Sequence, residues 1–391
     1  MNHKVKLKDI AIISSGSNAP KKEYFSKSGL PFIRAGHLES LIDGLDIRNL
    51  PKVNDVTSKN LKLKKAPKGS VLFAKSGMSC KKNRVYKTND ESFIVNHLAC
   101  ITPESENITN DYLKYFIEWY KPSRLIRDES YPSIRLSDIS NIELELPSLS
   151  TQSKITKTLN LAVKIIQIRQ QQIEALSALK QSIFLNMFGD PRVNDKEWST
   201  VTIKQLSEEI TQINPKKLDE KVNYLDISSI NNRNNEINQV HQYHSSEAPS
   251  RARQKVKQGD ILISTVRPNL KNIARIELAG EYIASSGFCV IRTKEVDQLF
   301  LYELIKLDYF TEELTKLTTG ANYPAIKKSD VLNQKIILPS IELQNKFSER
   351  IKVINKQINL LSKSLEQINL LYDSILHKAF NDELFKEDIN V

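Results

Sequence analysis

The sequence predicts a mixed α/β protein made of two similar globular domains, each followed by a long coiled-coil helix. Three observations carry the prediction: an internal repeat of the whole frame, a heptad ladder of apolar residues closing each repeat, and short apolar runs punctuated by turn residues ahead of each ladder. Composition agrees, because 391 residues with 40% hydrophobic and 26% charged supply apolar surface for two cores at a length where a single core stops growing.

The repeat emerges when the sequence is slid against itself by 192 positions. Tyr131-Pro132-Ser133-Ile134-Arg135-Leu136-Ser137-Asp138 then falls on Tyr323-Pro324-Ala325-Ile326-Lys327-Lys328-Ser329-Asp330, and Leu146-Pro147-Ser148 on Leu338-Pro339-Ser340. The register holds through Gln152 and Gln344 to Phe188 and Phe380, with 19 identities in the 60 positions from Tyr131 to Asp190. Upstream the halves diverge, yet Gly69-Ser70-Val71-Leu72-Phe73 still parallels Gly259-Asp260-Ile261-Leu262-Ile263, and Pro31-Phe32-Ile33 parallels Asn223-Tyr224-Leu225. The boundaries that follow are 1–150 and 191–340 for the globular domains and 151–190 and 341–391 for the helical spacers. Similar frames with different fillings suggest one task performed twice on different targets.

Each helix is predicted from its ladder. The second is unbroken, through Phe347, Ile351, Ile354, Ile358, Leu361, Leu365, Ile368, Tyr372, Ile375 and Ala379. The first runs Ile155, Leu159, Ala162, Ile166, Ile173, Leu176 and Ile183, with Arg169 and Lys180 intruding at seam positions. A seven-residue repeat of this length makes a seam that faces another helix, and the nearest candidate is the helix of the other repeat. Ser148 and Ser340, each behind a proline that disfavours helix before it, mark the starts, and Gly189-Asp190-Pro191 marks the first stop. A structural bundle or homo-oligomer zipper fits the ladders too; their position after a globular half favours a spacer that holds two modules apart.

In the globular halves, Ser70–Ala74 and Arg84–Tyr86 form two strands joined by a basic connection, as do Asp260–Ser264 and Ile273–Ile276. Ten Lys or Arg and no acid lie between Lys59 and Lys87; seven basic residues accompany Asp260 alone between Arg251 and Arg275. With a net charge of +11, these patches favour a polyanionic partner, although one such patch by itself is as readily a solvated face. The candidate DNA-contacting residues are Lys75, Ser76, Lys81, Lys82, Asn83 and Arg84 in the first connection and Ser264, Thr265, Arg267, Asn269, Lys271 and Asn272 in the second. Arg and Lys donate to guanine O6 and N7, Asn pairs with adenine, Ser and Thr reach either, and many of the cations would instead grip phosphates. The Tyr-Pro segments, Ser130-Tyr131-Pro132 and Gly320–Pro324, read as turns or as backbone contacts through Arg135 and Lys327.

Catalytic signals are missing. There is no GxxxxGK[ST] loop and no glycine-rich strand-turn-helix for a dinucleotide or S-adenosylmethionine. Cys80, Cys100 and Cys289 form no CxxC pair, and His241 with His244 reads as a polar loop in preference to a metal site. Asp260, or Glu295 beside Lys294, fits a nuclease pattern only as chance allows among 46 carboxylates. No apolar run nears the ~20 residues that span a bilayer, so a cytoplasmic protein without membrane contacts is expected.

The order of these pieces resembles the DNA-specificity subunits of Type I restriction-modification systems over nearly the whole chain. The Leu-Pro-Ser turn with Gln152, the heptad helix, and Lys180-Gln181-Ser182-Ile183 leading to Phe188-Gly189 are similar to that family's central helical region, and Gln344 to Phe380-Asn381-Asp382 to its C-terminal one. The Gly69 and Gly259 strands with their basic loops are similar to its target-recognition domains. The resemblance implies an antiparallel helix pair with pseudo-twofold symmetry, each recognition domain reading half of a split double-stranded DNA site, and a gap set by the helices. It further implies two methylation subunits carrying S-adenosylmethionine and motor-nuclease restriction subunits using ATP and Mg²⁺, with no cofactor, metal or catalytic site in this chain. A coiled-coil interaction scaffold with non-specific DNA binding and an unrecognised nuclease are the alternatives. Phe380-Asn381-Asp382, where the first repeat has Phe188-Gly189-Asp190, departs from the pattern at the second helix stop.

Overall fold

The computed structural model describes residues 3–217, 220–232, 234–320, 324–381 and 384. Two helices dominate, Leu149–Phe188 (the central helix) and Ile341–Phe380 (the C-terminal helix). The chain forms two compact units, Met1–Arg169 with Ser364–Val391, and Gln170–Lys363. The first unit runs across the boundary at 150 and the second across those at 190 and 340, so each holds one globular domain, the start of the helix that follows that domain, and the end of the helix belonging to the other repeat.

In the first unit, Ala11–Ser15, Leu98–Pro103, Val71–Ala74 and Val85–Lys87 form an antiparallel sheet in that spatial order. Lys52–Val53, Leu30–Ile33, Ser92–Ile94 and Lys65–Ala66 form a second sheet, in which Phe32 and Ile33 pair in parallel with Phe93 and Ile94. The second unit repeats the plan. Ser207–Glu208, Phe288–Thr293, Ile261–Ser264 and Ile273–Arg275 make the antiparallel sheet, and His241–His244, Lys221–Leu225, Glu281–Ser285 and Ala252–Lys257 the mixed one, with Tyr224 and Leu225 parallel to Ile283 and Ala284. Val71–Ala74 and Ile261–Ser264 are buried at every position, which is why Val71–Ala74 and Ile261–Ile263 are continuous apolar runs. His241 and His244 stand on an edge strand and not in the loop expected of them; the strand alternates between half-buried and exposed residues, but its buried side is too polar to announce itself.

The helix starts are fixed as the sequence suggests, and by more than capping. Ser148 Oγ accepts from the Thr151 amide at 3.2 Å, and Gly189, in the left-handed region at φ 76°, closes the central helix with its amide on the Leu185 carbonyl at 2.8 Å. Buried Gln152 accepts from the Thr109 amide at 2.9 Å and donates to the Asn107 and Pro147 carbonyls at 2.7 and 3.0 Å. Gln344 repeats this with the Asp297 amide at 2.9 Å and the Pro339 carbonyl at 2.8 Å. Each glutamine thus ties its helix start to the N-cap residue of a domain helix, Thr109 before Asn110–Tyr120 or Asp297 before Gln298–Lys306.

Packing within each unit shows the two long helices to be antiparallel. In the first, Ile155, Leu159 and Ala162 share a core with Tyr372, Leu376 and Ala379; in the second, Phe184 and Phe188 share one with Phe347, Ile351 and Ile354. Ile166, Leu176 and Ile358 flank these cores, while Ile173, Leu361, Leu365 and Ile368 are half-buried. Phe380 stacks on Trp119 at 5.7 Å, and Phe188 meets Phe300 at 4.8 Å, so each helix end docks on the domain of the other repeat. Lys180, which breaks the heptad pattern, reaches Glu303 at 3.2 Å and Asn355 at 3.1 Å, with Lys306 on the other Glu303 oxygen at 3.3 Å. Tyr372, at the equivalent position of the other repeat, donates to Glu118 at 2.6 Å. The helix ends at Phe380, in register with Phe188, although asparagine follows it; Asp382 lies outside the described residues.

Candidate nucleic-acid interface

In each unit the basic connection between two sheet strands meets the Tyr-Pro segment from more than 50 residues away, through the same backbone bonds. Ile134 donates to the Lys75 carbonyl at 2.7 Å, Gly77 donates to the Pro132 carbonyl at 2.9 Å, and Ser76 bridges Ser133. In the second unit, Ile326 donates to the Thr265 carbonyl at 2.9 Å, Arg267 donates to the Pro324 carbonyl at 2.7 Å, and Val266 bridges Ala325. The two reading-frame fragments that the sequence leaves separate are therefore one site, built twice. Arg135 and Lys327 follow directly, both exposed and each preceding a short helix, Leu136–Ser140 or Lys328–Leu332. Of the Gly320–Pro324 turn, residues 321–323 lie outside the described residues.

Each connection contains a short 3₁₀ turn, Met78–Lys82 or Pro268–Leu270, braced from two sides. In the first unit Asn83 exchanges two hydrogen bonds with Ser123, at 2.9 and 2.8 Å, and Arg84 pairs with Glu39. In the second, Asn232 and Asn235, around a turn between Ile230–Asn231 and Glu236–Ile237, donate to the Leu270 and Lys271 carbonyls, each at 3.0 Å, and Lys271 pairs with Asp308. Such bracing fixes the backbone and leaves the tips to carry chemistry.

The candidate residues separate on burial. Ser264, Thr265 and Asn272 are 2, 8 and 9% exposed, and the two hydroxyls donate to the Val266 and Gly287 carbonyls, both at 2.8 Å. All three present little surface, and the two hydroxyls shape the loop from within. Asn83 is likewise a brace, and Ser76 holds His97 Nδ1 at 2.6 Å. Lys75 is half-buried; Lys81 pairs with Glu129 at 2.9 Å. Lys82, Arg135, Arg267, Asn269 and Lys327 are exposed. Sequence reasoning missed Met78 and Tyr131, 67 and 83% exposed on the first loop and the segment it pairs with; large side chains held outward at a tip are the signal that only the structure supplies. Lys65 and Lys87 also hold partners, Glu91 and Asp111, but exposed pairs of this kind contribute at most ~1 kcal/mol and exchange readily for phosphates. Asp260, fitted above to a nuclease pattern, is 1% exposed and forms a two-pronged pair with Arg292 at 2.9 and 2.7 Å, a structural clamp inside the sheet.

These features define a recognition protein with a duplicated loop site. Comparison with known proteins identifies its family. The model of the Type I restriction modification DNA specificity domain matches twice, over residues 2–178 and 195–370, and the chain belongs to this family. It is 24% identical over 280 residues to the Type I restriction enzyme MjaVIII specificity subunit of Methanocaldococcus jannaschii, 66% of each chain being aligned. It is 28% identical over 194 residues to the MjaIX specificity subunit of that organism, covering 49% of this chain and 44% of the relative, and 26% identical to its putative MjaX specificity subunit, covering 95 and 91%. The chain thus spans under two thirds of the first two relatives and nine tenths of the third. In fold it is similar to the S subunit of a Type I restriction-modification system from M. genitalium, with a TM-score of 0.56 and 14% identity over 97% of this chain and 96% of that one. A chain from a structure concerned with assembly and conformational transition of the type I R-M system gives 0.55 and 18% over 98% of both.

Proposed function

We propose that this chain is the sequence-specific DNA-binding subunit of a Type I restriction-modification complex, each unit reading one half of a bipartite double-stranded site and the helices setting the gap. The observation that carries the reading is the duplicated pairing of a braced basic loop with a Tyr-Pro segment: equivalent backbone pairings displaying different loops and side chains are what two different half-sites require. Lys82, Arg135 and Lys327 serve phosphates, and Met78, Tyr131, Arg267 and Asn269 face the base edges; an apolar side chain suits a thymine methyl, and a braced tip preserves the geometry that base readout demands.

Catalysis belongs to partners in this account. Two methylation subunits bring S-adenosylmethionine, and motor-nuclease subunits bring ATP and Mg²⁺, to a cytoplasmic assembly. Among the described residues no helix is long and apolar enough to cross a membrane, and no cluster of three metal-ligating side chains occurs. Leu161 and Ile168 on the central helix and the repeat-equivalent Val353 and Leu360 on the C-terminal helix are exposed at one helical face, seven residues apart. An apolar pair presented twice in register suits two copies of one methylation subunit.

The test is titration of the complex with its methylation subunits against duplex DNA at several salt concentrations. Binding is expected to favour one split sequence, and charge reversal at Lys81 and Lys82, or at Arg267 and Lys271, to weaken it, the loss of the Lys82 phosphate contact flattening the salt slope by roughly one unit. Unchanged binding after both reversals would leave a scaffold with inert loops, and Mg²⁺-dependent cutting by the purified chain alone would reveal a nuclease.

A further inference from the structure

Resting on the DNA-reading function just proposed, we infer that Arg267 is the side chain with which the second unit reads a guanine in its half-site. The argument begins with the backbone. Arg267 and Gly77 occupy the same place in the two frames, each donating its amide to the carbonyl of the paired proline, at 2.7 and 2.9 Å. Both have positive φ, 49° and 75°, Arg267 in the left-handed helical region with ψ 61° and Gly77 more extended with ψ 179°. That region is free to glycine and crowded for any residue with a Cβ, and Pro268 restricts the residue before it further. The first unit places glycine at the equivalent hydrogen-bonded position; what arginine adds there is a side chain.

That side chain is exposed on a short and rigid loop. Of its neighbours, Ser264, Thr265 and Asn272 are buried and Lys271 is half-buried, while Arg267, Asn269 and Leu270 are exposed. The carbonyls of Leu270 and Lys271 are anchored by Asn232 and Asn235, and the Arg267 carbonyl accepts from the Leu270 amide at 2.9 Å. A phosphate could be held by a flexible lysine at any unstrained position. A planar five-donor fork launched from an immobilised, strained backbone is suited instead to the paired acceptors O6 and N7 of guanine.

The experiment is methylation profiling of DNA from cells that express the chain with its methylation subunits, for wild type, Arg267→Gly, Arg267→Lys and Arg267→Asn, with melting temperatures of the purified complexes. The wild-type motif is expected to contain a G·C pair at the position that each variant relaxes, with discrimination there falling about tenfold or more and the other half-site unchanged. Arg267→Gly should melt no lower than wild type, since glycine relieves the backbone, and Asn, which tolerates the same region, guards against a folding artefact. A motif unaltered by all three variants, or an equal loss of methylation at every sequence, overturns the assignment to base reading. A wild-type complex that methylates without sequence preference would instead overturn the DNA-reading function itself.

Discussion

Phe188→Ala is the substitution that most directly interrogates the exchange of helix ends. The ring is fully buried, with centroids 5.0, 4.8 and 5.2 Å from those of Phe184, Phe300 and Phe347. Removing a buried phenylalanine costs about 3–5 kcal/mol, and three edge-on or tilted ring contacts place this one at about 4. The loss is expected in the second unit, although Phe188 sits on the helix that starts in the first. Hydrogen exchange resolved by peptide is the assay. A loss of about 4 kcal/mol raises the opening equilibrium roughly a thousandfold, so amides in Ile261–Ser264 and Phe288–Thr293 should lose protection while those in Val71–Ala74 and Leu98–Pro103 keep theirs. A loss below about 1 kcal/mol, or one confined to the first unit, would refute the packing argument.

Gln152→Ala and Gln344→Ala should each lower stability by about 2–4 kcal/mol, read from urea midpoints, because buried backbone groups at a domain-helix start lose their partner. Burial holds Lys306 below the usual lysine range, with Glu303 opposing that shift and Lys180 adding to it. The folded chain therefore releases this proton before the unfolded chain does, and stability rises with pH from the folded pKa up to the ordinary 10.5. Lys306→Met is expected to flatten that alkaline rise in urea titrations across pH; an unchanged slope would count against it. Leu161→Asp with Ile168→Asp should lower the co-purified methylation subunit from two copies to one while leaving hydrogen exchange in the sheets unchanged, and two retained copies would remove this face from the docking proposal.

Much of the fold was legible because its signals are local. Val71–Ala74 and Ile261–Ile263 are uninterrupted apolar runs beside turn residues, and the heptads fix where each long helix runs. What the heptads leave open is which segment covers which, so the crossing of helix ends between units appeared only with Phe188 on Phe300 and Phe380 on Trp119. Lys180 looked like a flaw in the seam; its partner Glu303 lies 123 residues away and no periodicity points to it. The candidate loops were legible as basic runs between strands, but which of their side chains lie at the surface was not, for a similar reason. Serine, threonine and asparagine serve base edges and internal turns with the same atoms, and burial, which sets Ser264, Thr265 and Asn272 apart from the exposed loop residues, is set by the sheet around them. The Tyr-Pro segments left turn and contact both open because a pairing with a loop more than 50 residues away leaves no local mark.

The most direct test of the account is a cryo-EM structure of the chain with its methylation subunits on a duplex carrying the methylated motif. Each basic loop is expected to lie in a groove of the DNA with its Tyr-Pro segment beside it, Arg267 within hydrogen-bond reach of a base edge. DNA lying against another surface, with residues 75–84 and 265–272 turned to solvent, would contradict it.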